Sequence, residues 1–398
     1  MRALIPHHLE PFWRAFTKNA SVSSKSLPSV QSAGNLRGKR VFLRAGVNMP
    51  VKNGKVTNDF RLLSMLPTVK FLRESGARTI ITGHIGREPE LSLRPVCEEL
   101  NKHVPAMFVS DTVGESAKQA VGKLSDGEIL MLENLRSHPG ELGNTDAFAR
   151  ALAALGDVYV NDAFEVCHRE HASIVGVPKH LPHFAGLQLL REVEALTNAL
   201  LPVKPSLFVL GGAKFETKKP LIEKFLSIYD TLFIGGAIAN DFFSAMGYSV
   251  GISATSKDAR GLTDILGSPN ILLPIDVVVS KGKKSRITTV DKVSDDEYIS
   301  DIGPETLNLL RERVASAKYI LWNGPLGDMD IGYVSGTEAL AEAIASADAE
   351  SIVGGGDTVA SIARLNLSDR LSFLSTGGGS MLQFLADETL PGIRALER

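Results

Sequence analysis

The sequence predicts an α/β protein built as two doubly wound parallel-sheet (Rossmann-like) domains joined by an interdomain helix. Three observations carry the prediction. Short apolar runs alternate with amphipathic segments along the whole chain, the pattern of βα units in parallel sheets. The runs of the first half end in arginine and histidine, whereas those of the second half end in glycine clusters. Between the two series lies a helical pattern over 184–206 that stops at Pro202 and Pro205 and reads as a hinge. At 398 residues the chain is long enough for two such domains, each with its own core.

In the first half the strand candidates are RVFLRAGVNMP (40–50), RTIITGHIGRE (78–88), AMFVSDTVGE (106–115), EILMLENLRSH (128–138) and VYVNDAFEVCHRE (158–170). Apolar residues at helical spacing cover 61–75, 95–104 and 145–155 between them. The runs deliver Arg44, Asn48, His84, Arg87, Arg136, His168 and Arg169 to strand ends. A guanidinium fork matches carboxylate and phosphate bidentately, so this lobe suits a small anion carrying both groups.

In the second half the runs are PSLFVLGGAKFETK (205–218), TLFIGGAIAN (231–240), YILWNGPLGD (319–328), SIVGGGDT (351–358) and LSFLSTGGGS (371–380). Helical spacing covers 219–229, 303–317, 336–347 and 381–390. The polar stretch 281–298 reads as an exposed loop. An apolar run stopping at glycine is a buried strand entering a tight turn at its carboxyl end, the edge where open α/β sheets bind ligands. Glycine lets backbone N–H groups approach phosphate, and a following helix adds its dipole. Five such loops predict a polyphosphate site. A nucleotide lobe facing an acidic-metabolite lobe predicts phosphoryl transfer.

Composition excludes other classes. Net charge is −2, so no general field favours nucleic acid or a membrane surface. No apolar stretch reaches the roughly 18 residues of a membrane span. Cys97 and Cys167 form no CxxC, which predicts free thiols and gives no metal framework. These features predict a cytoplasmic enzyme. Residues 1–34 set Arg2, Arg14, Lys18 and Lys25 against Glu10 alone. They read as a disordered leader or, alternatively, as an organelle transit peptide interrupted by Pro6 and Pro11.

GGAKFETK lacks the G-x-x-x-x-G-K-[ST] spacing of a Walker loop, and no GxGxxG occurs. Lys214 and Lys218 are four apart and share a helix face, so both reach one phosphate chain or else both are surface lysines. Asp357 in VGGGDT is either a Mg²⁺ ligand beside phosphates or a helix N-cap. HREHAS, with His168, Arg169 and His171, lacks HExxH spacing and gives no zinc site.

The order of these motifs carries a resemblance. RAGVNMP, Asn58–Asp59 before Arg61, GHIGR, MLENLR, YVNDAFEVCHREHAS, GGAKFETK, FIGGAIAN, WNGPLG, GGGDT, STGGG and LPGI follow one another as in the phosphoglycerate kinases, over about residues 35–398. The resemblance implies reversible phosphoryl transfer between 1,3-bisphosphoglycerate and ADP, giving 3-phosphoglycerate and ATP, in a two-lobed monomer. It implies a 3-phosphoglycerate domain over 35–186 and a Mg-nucleotide domain over 187–386 that opens with the interdomain helix at about 184–201. A tail, 387–398, would return to the first domain. It implies glycerate contacts at Gly46, Asn48, Arg61, His84, Arg87, Arg136 and Arg169. Nucleotide contacts fall at Gly212, Ala213, Lys214, Lys218, Gly236, Asn323, Pro325, Asp330, Gly355, Gly356, Asp357 and Thr358, with Asp357 on the Mg²⁺. Arg61, Lys214 and Lys218 would stabilise the phosphoryl group in flight, beside Gly377 and Gly378. The acceptor carboxylate is already ionised at neutral pH, so no general base is needed.

The chain departs from the family pattern mainly on the acceptor side. The Asp of RVDFNVP is Gly46, the Gly of NDAFGTAHR is Glu165, and the Glu that follows WNGP is Asp330. An acid is lost at 46 and one is gained at 165. Taken from the sequence, each reversal alone, Gly46→Asp or Glu165→Gly, is expected to tighten the glycerate.

Overall fold

The computed structural model describes residues 27–213, 215–256 and 261–397. Lys214 and most of the expected leader lie outside them.

The first lobe holds β1 (Arg40–Ala45), β4 (Arg78–Thr82), β5 (Met107–Val109), β6 (Ile129–Leu132), β7 (Val158–Asp162) and β8 (His183–Ala185). A two-stranded hairpin, β2 (Val51–Lys52) with β3 (Lys55–Val56), hangs from it. The six strands form one parallel sheet in the order β5-β6-β4-β1-β7-β8. β6 and β7 are buried at every residue, the mark of a sheet covered on both faces. The helices Phe60–Glu74, Arg94–Leu100, Glu115–Lys123 and Asp146–Ala153 cover it.

The second lobe holds β9 (Ser206–Leu210), β10 (Thr231–Ile234), β11 (Ile271–Leu272), β15 (Tyr319–Asn323), β16 (Glu350–Gly354) and β17 (Phe373–Leu374). They form a second parallel sheet in the order β11-β10-β9-β15-β16-β17. Its first strand in sequence, β9, sits between β10 and β15, so the strand order reverses there. The crevice outside such a reversal is where doubly wound sheets bind ligands.

Three expectations need correction. The stretch 281–298 is not a loop: β12 (Asp276–Lys281), β13 (Lys284–Thr289) and β14 (Tyr298–Ile302) make an antiparallel sheet in the order β13-β12-β14. β13 is exposed at five of its six residues, so no apolar alternation announces it. Its neighbour β12 buries Val277 and Val279 against Phe243. The interdomain helix spans Leu187–Asn198, shorter than 184–201, because Phe184 and Ala185 belong to β8. The first lobe begins before residue 35: Ser29 bridges Ala185, and Val30 is buried in the core with Val41 and Leu43.

One apolar core runs through both lobes. Phe164, from the turn after β7, packs edge-on against Phe384 of the helix Gly379–Asp387 at 6.2 Å between ring centres. The end of the chain lies on the first lobe. Gly392 N–H donates to the Cys167 carbonyl at 2.8 Å, and a Cβ on Gly392 would fall 2.7 Å from Ile174 Cγ2.

Candidate active site

In the first lobe the expected cations gather at the carboxyl ends of β1, β4, β6 and β7. Arg44 is fully buried: Nε donates to Ser173 Oγ at 2.9 Å and Nη1 to the Ala45 carbonyl at 2.6 Å. Read from the sequence as a ligand-facing strand end, it is a buried support instead. Its Nη2 lies 3.1 Å from His84 Nδ1. A guanidinium only donates, so His84 Nδ1 accepts and Nε2 carries the proton. Burial, then Arg44 and Arg136, push His84 down to about 2, which keeps the ring neutral. Burial and the same arginines hold His171 at about 4, and burial with Arg169 holds His168 at about 4.

Arg136 is half-buried and donates through Nη1 to the Gly86 carbonyl. Its pKa is lowered by burial first and then by Arg44 and Arg169, with a smaller share from Arg87. Arg87 and Arg169 are exposed at the rim. Asn48 Oδ1 accepts from Gly86 N–H at 2.9 Å, which leaves its amide N–H groups as donors toward the basin. Gly46 is buried, and the space beside its Cα is taken by Glu165.

Arg61, in the first turn of the helix Phe60–Glu74, bridges the lobes. Nη1 donates to the Asn48 carbonyl at 2.5 Å; Nη2 and Nε donate to the Thr376 carbonyl at 3.0 and 3.2 Å. Thr376 is tied in turn to the interdomain helix. Its amide and hydroxyl donate to Glu192 Oε1 at 2.7 and 2.6 Å, and Ser375 Oγ donates to Glu192 Oε2 at 2.7 Å. Sequence reasoning missed Glu192 and Thr376. The only available signals were an acid in the apolar register of the helix and the two hydroxyls preceding GGG.

In the second lobe four loops converge at the strand reversal. Gly211 N–H donates to the Asn323 carbonyl and Gly212 N–H to the Pro325 carbonyl, both at 2.8 Å. Gly236 has φ +61°, and a Cβ there would lie 2.5 Å from Gly212 N and 2.9 Å from Pro325 O. Gly324 and Gly355 also have positive φ, at +90° and +107°. These glycines therefore serve first to let loop backbones touch. Gly356 and Gly379 differ: a Cβ there meets nothing within 4 Å. They begin the helices Gly356–Arg364 and Gly379–Asp387, whose N-terminal N–H groups lack intrahelical partners. Gly378 brings the two helix starts together, its Cβ position lying 3.5 Å from Gly355 Cα. Gly377 packs on Phe164 of the first lobe.

Lys218, on the helix Phe215–Phe225, is buried and donates through Nζ to the Gly211 carbonyl at 2.6 Å. Burial lowers its pKa to about 8. Of the two readings open for Lys218, the surface one is thereby excluded. Asp357 lies exposed in the first turn of the helix Gly356–Arg364, whose N-cap position is Gly355, so it is not the cap. Thr358 is buried with its Oγ1 unpaired. Asn323 is buried, its Nδ2 3.4 Å from Met381 Sδ. Ala213 is exposed beside Gly212, and Asp330 is exposed in the turn after β15.

A strand-reversal cradle of glycines and helix starts, opposed to a basin of guanidinium groups, defines a two-lobed small-molecule phosphotransferase. Residues 30–388 match the family described as phosphoglycerate kinase. The phosphoglycerate kinase of Dictyoglomus turgidum is 40% identical over 382 residues, covering 91% of this chain and 96% of that protein. That of Moorella thermoacetica is 41% identical over 380 residues, covering 91% and 97%. Among solved structures, phosphoglycerate kinase from Coxiella burnetii superposes with TM-score 0.77 at 38% identity, covering 93% of this chain and 98% of that one. The Pyrococcus horikoshii OT3 structure gives TM-score 0.82 at 32% identity with the same coverage, 93% and 98%. The chain belongs to the phosphoglycerate kinase family.

Proposed function

We propose that this chain carries out its family's reaction, moving a phosphoryl group reversibly between 1,3-bisphosphoglycerate and ADP, with the glycerate in the first lobe and the nucleotide in the second. The observation that carries the division of labour is the charge balance of the first-lobe basin. Arg136 and three histidines there are all pushed toward their neutral forms by burial and by neighbouring arginines. Such a basin gains most from a small polyanion.

The chemistry asks little covalent help of the protein. The acceptor carboxylate is ionised, and catalysis rests on in-line placement and on cations beside the equatorial oxygens. Arg61 occupies the seam between the lobes, in reach of both. Lys218 is cationic below about pH 8 and faces the glycine cradle. The exposed carboxylate of Asp357, free of any capping bond, suits a hard divalent cation and would hold Mg²⁺. Mg²⁺ neutralises phosphate charge when bound. Closure of the lobes would exclude water from the acyl phosphate. No described helix is long and apolar enough to cross a membrane. The family likeness is the basis for reading the chain as a monomer acting in the cytoplasm.

A coupled assay with ATP and 3-phosphoglycerate tests the reaction; no turnover would overturn it. Calorimetry tests the division. Arg136→Ala and Arg169→Ala should weaken 3-phosphoglycerate and leave nucleotide affinity unchanged. Equal loss of both ligands would refute the two-lobe assignment.

A further inference from the structure

The two departures at Gly46 and Glu165 occupy one place. β1 and β7 are neighbouring parallel strands with Ala45 opposite Asp162, so the turns that follow them face each other. Gly46 begins the first turn, and Glu165 lies in the one-turn helix Phe164–Val166 of the second. A Cβ on Gly46 would lie 2.8 Å from Glu165 Oε2 and 2.9 Å from Oε1. Both distances are below any ordinary contact. The Glu165 carboxylate thus fills the volume that a side chain at 46 would need, and only glycine leaves it room.

That carboxylate is poised for a ligand. Glu165 is 8% exposed, yet its Oε1 has no hydrogen-bond partner among the described residues. A buried, unpaired carboxylate oxygen is costly unless something donates to it. The first-lobe groups Arg61, Arg136, the Nε2–H of His84 and the amide of Asn48, whose oxygen Gly86 already uses, are all donors. Such donors satisfy the phosphate and carboxylate of a glycerate; the proton of its hydroxyl needs an acceptor, and Glu165 Oε1, beside Gly46, is one that nothing in the fold uses.

We propose that Glu165 is the hydroxyl acceptor of the glycerate site, reaching it from the turn after β7 through the space left by Gly46, so that the acid lost at 46 and the acid gained at 165 are one exchange. The proposal rests on the glycerate reading of the first lobe. It reverses the expectation drawn from the sequence: each reversal alone should be harmful. Glu165→Gly removes the acceptor. Gly46→Asp drives a Cβ and a second anion into the first.

Calorimetry with 3-phosphoglycerate and with its hydroxyl-free analogue 3-phosphopropionate tests the exchange. Glu165→Gly should weaken 3-phosphoglycerate roughly tenfold, the size of one hydrogen bond to a charged group, while leaving the analogue nearly unaffected. Gly46→Asp alone should weaken both ligands. The double variant Gly46→Asp/Glu165→Gly should recover 3-phosphoglycerate to within a few-fold of wild type. Unchanged nucleotide affinity in all three reports an intact fold. Tighter or unchanged 3-phosphoglycerate binding by Glu165→Gly, or a double variant no better than Gly46→Asp, overturns the proposal. A wild type that binds nucleotide but not 3-phosphoglycerate overturns the substrate reading itself.

Discussion

Lys218 shows how one buried charge links structure to function. Its ammonium is held by the Gly211 carbonyl and surrounded by protein, and burial alone brings its pKa to about 8. Below that value it is a cation waiting for phosphate; above it, the charge is lost. Nucleotide affinity should therefore fall as pH rises from 7 to 9, and Lys218→Met should bind weakly with no such dependence. A wild-type affinity flat across this range would remove Lys218 from the phosphate site. Asp357 makes the complementary case. Asp357→Asn should weaken Mg-nucleotide far more than metal-free nucleotide; equal weakening would make the residue structural. Lys214 calls for the same experiment on sequence grounds alone.

At the scale of elements, the glycine loops divide into two kinds that look alike in sequence. Gly236 sits at φ +61° with a neighbouring backbone 2.5 Å from its Cβ position, whereas Gly356 opens on empty space. Gly236→Ala should cost about 1–3 kcal/mol of stability through strain. Gly356→Ala should leave the melting temperature within a degree or two and yet weaken nucleotide, because its Cβ would stand where phosphate meets the helix start. Paired melting and binding measurements separate the two. Comparable melting temperatures for both variants would refute the distinction. The clusters themselves were legible because strands end there. Which glycine serves packing was not, since it depends on loops more than 20 residues apart meeting in space.

At the scale of the whole molecule, the lobes are joined through Glu192. Burial raises Glu192 and Asp162 to about 7. Each holds a proton in the fold where the unfolded chain has released it, so each contributes stability at low pH that is lost as pH rises toward about 7. His84, His168 and His171, lowered to about 2, 4 and 4, act oppositely. The unfolded chain takes up their protons first as pH falls below 6.5, so stability is lost on acidification. The two sets oppose each other between about pH 5 and 6.5. Glu192→Gln removes one opposing group. Stability should then rise more steeply with pH, by up to about 1.4 kcal/mol per unit, in denaturation series from pH 5 to 7. An unchanged slope would mean that Glu192 is ionised throughout. Both substrates together should also compact the molecule more than either alone, because charge across the cleft is neutralised only when both are present. Identical scattering radii in all four ligand states would count against closure.

The sequence by itself determined the two-sheet α/β plan, the cationic end of one lobe and the glycine end of the other. Apolar strand runs, helix periodicity and strand-ending glycines are local signals, each written within a dozen residues. Tertiary structure alone decided the rest. Arg44 became a support because Ser173, distant in sequence, stands beside it. The exposed strand β13 exists because β12 pairs with it, not because of its own pattern. Gly46 and Glu165 are 119 positions apart and read as two independent departures until β1 and β7 lie side by side. Contacts between separated segments depend on strand order, and strand order is set by the packing of the whole chain.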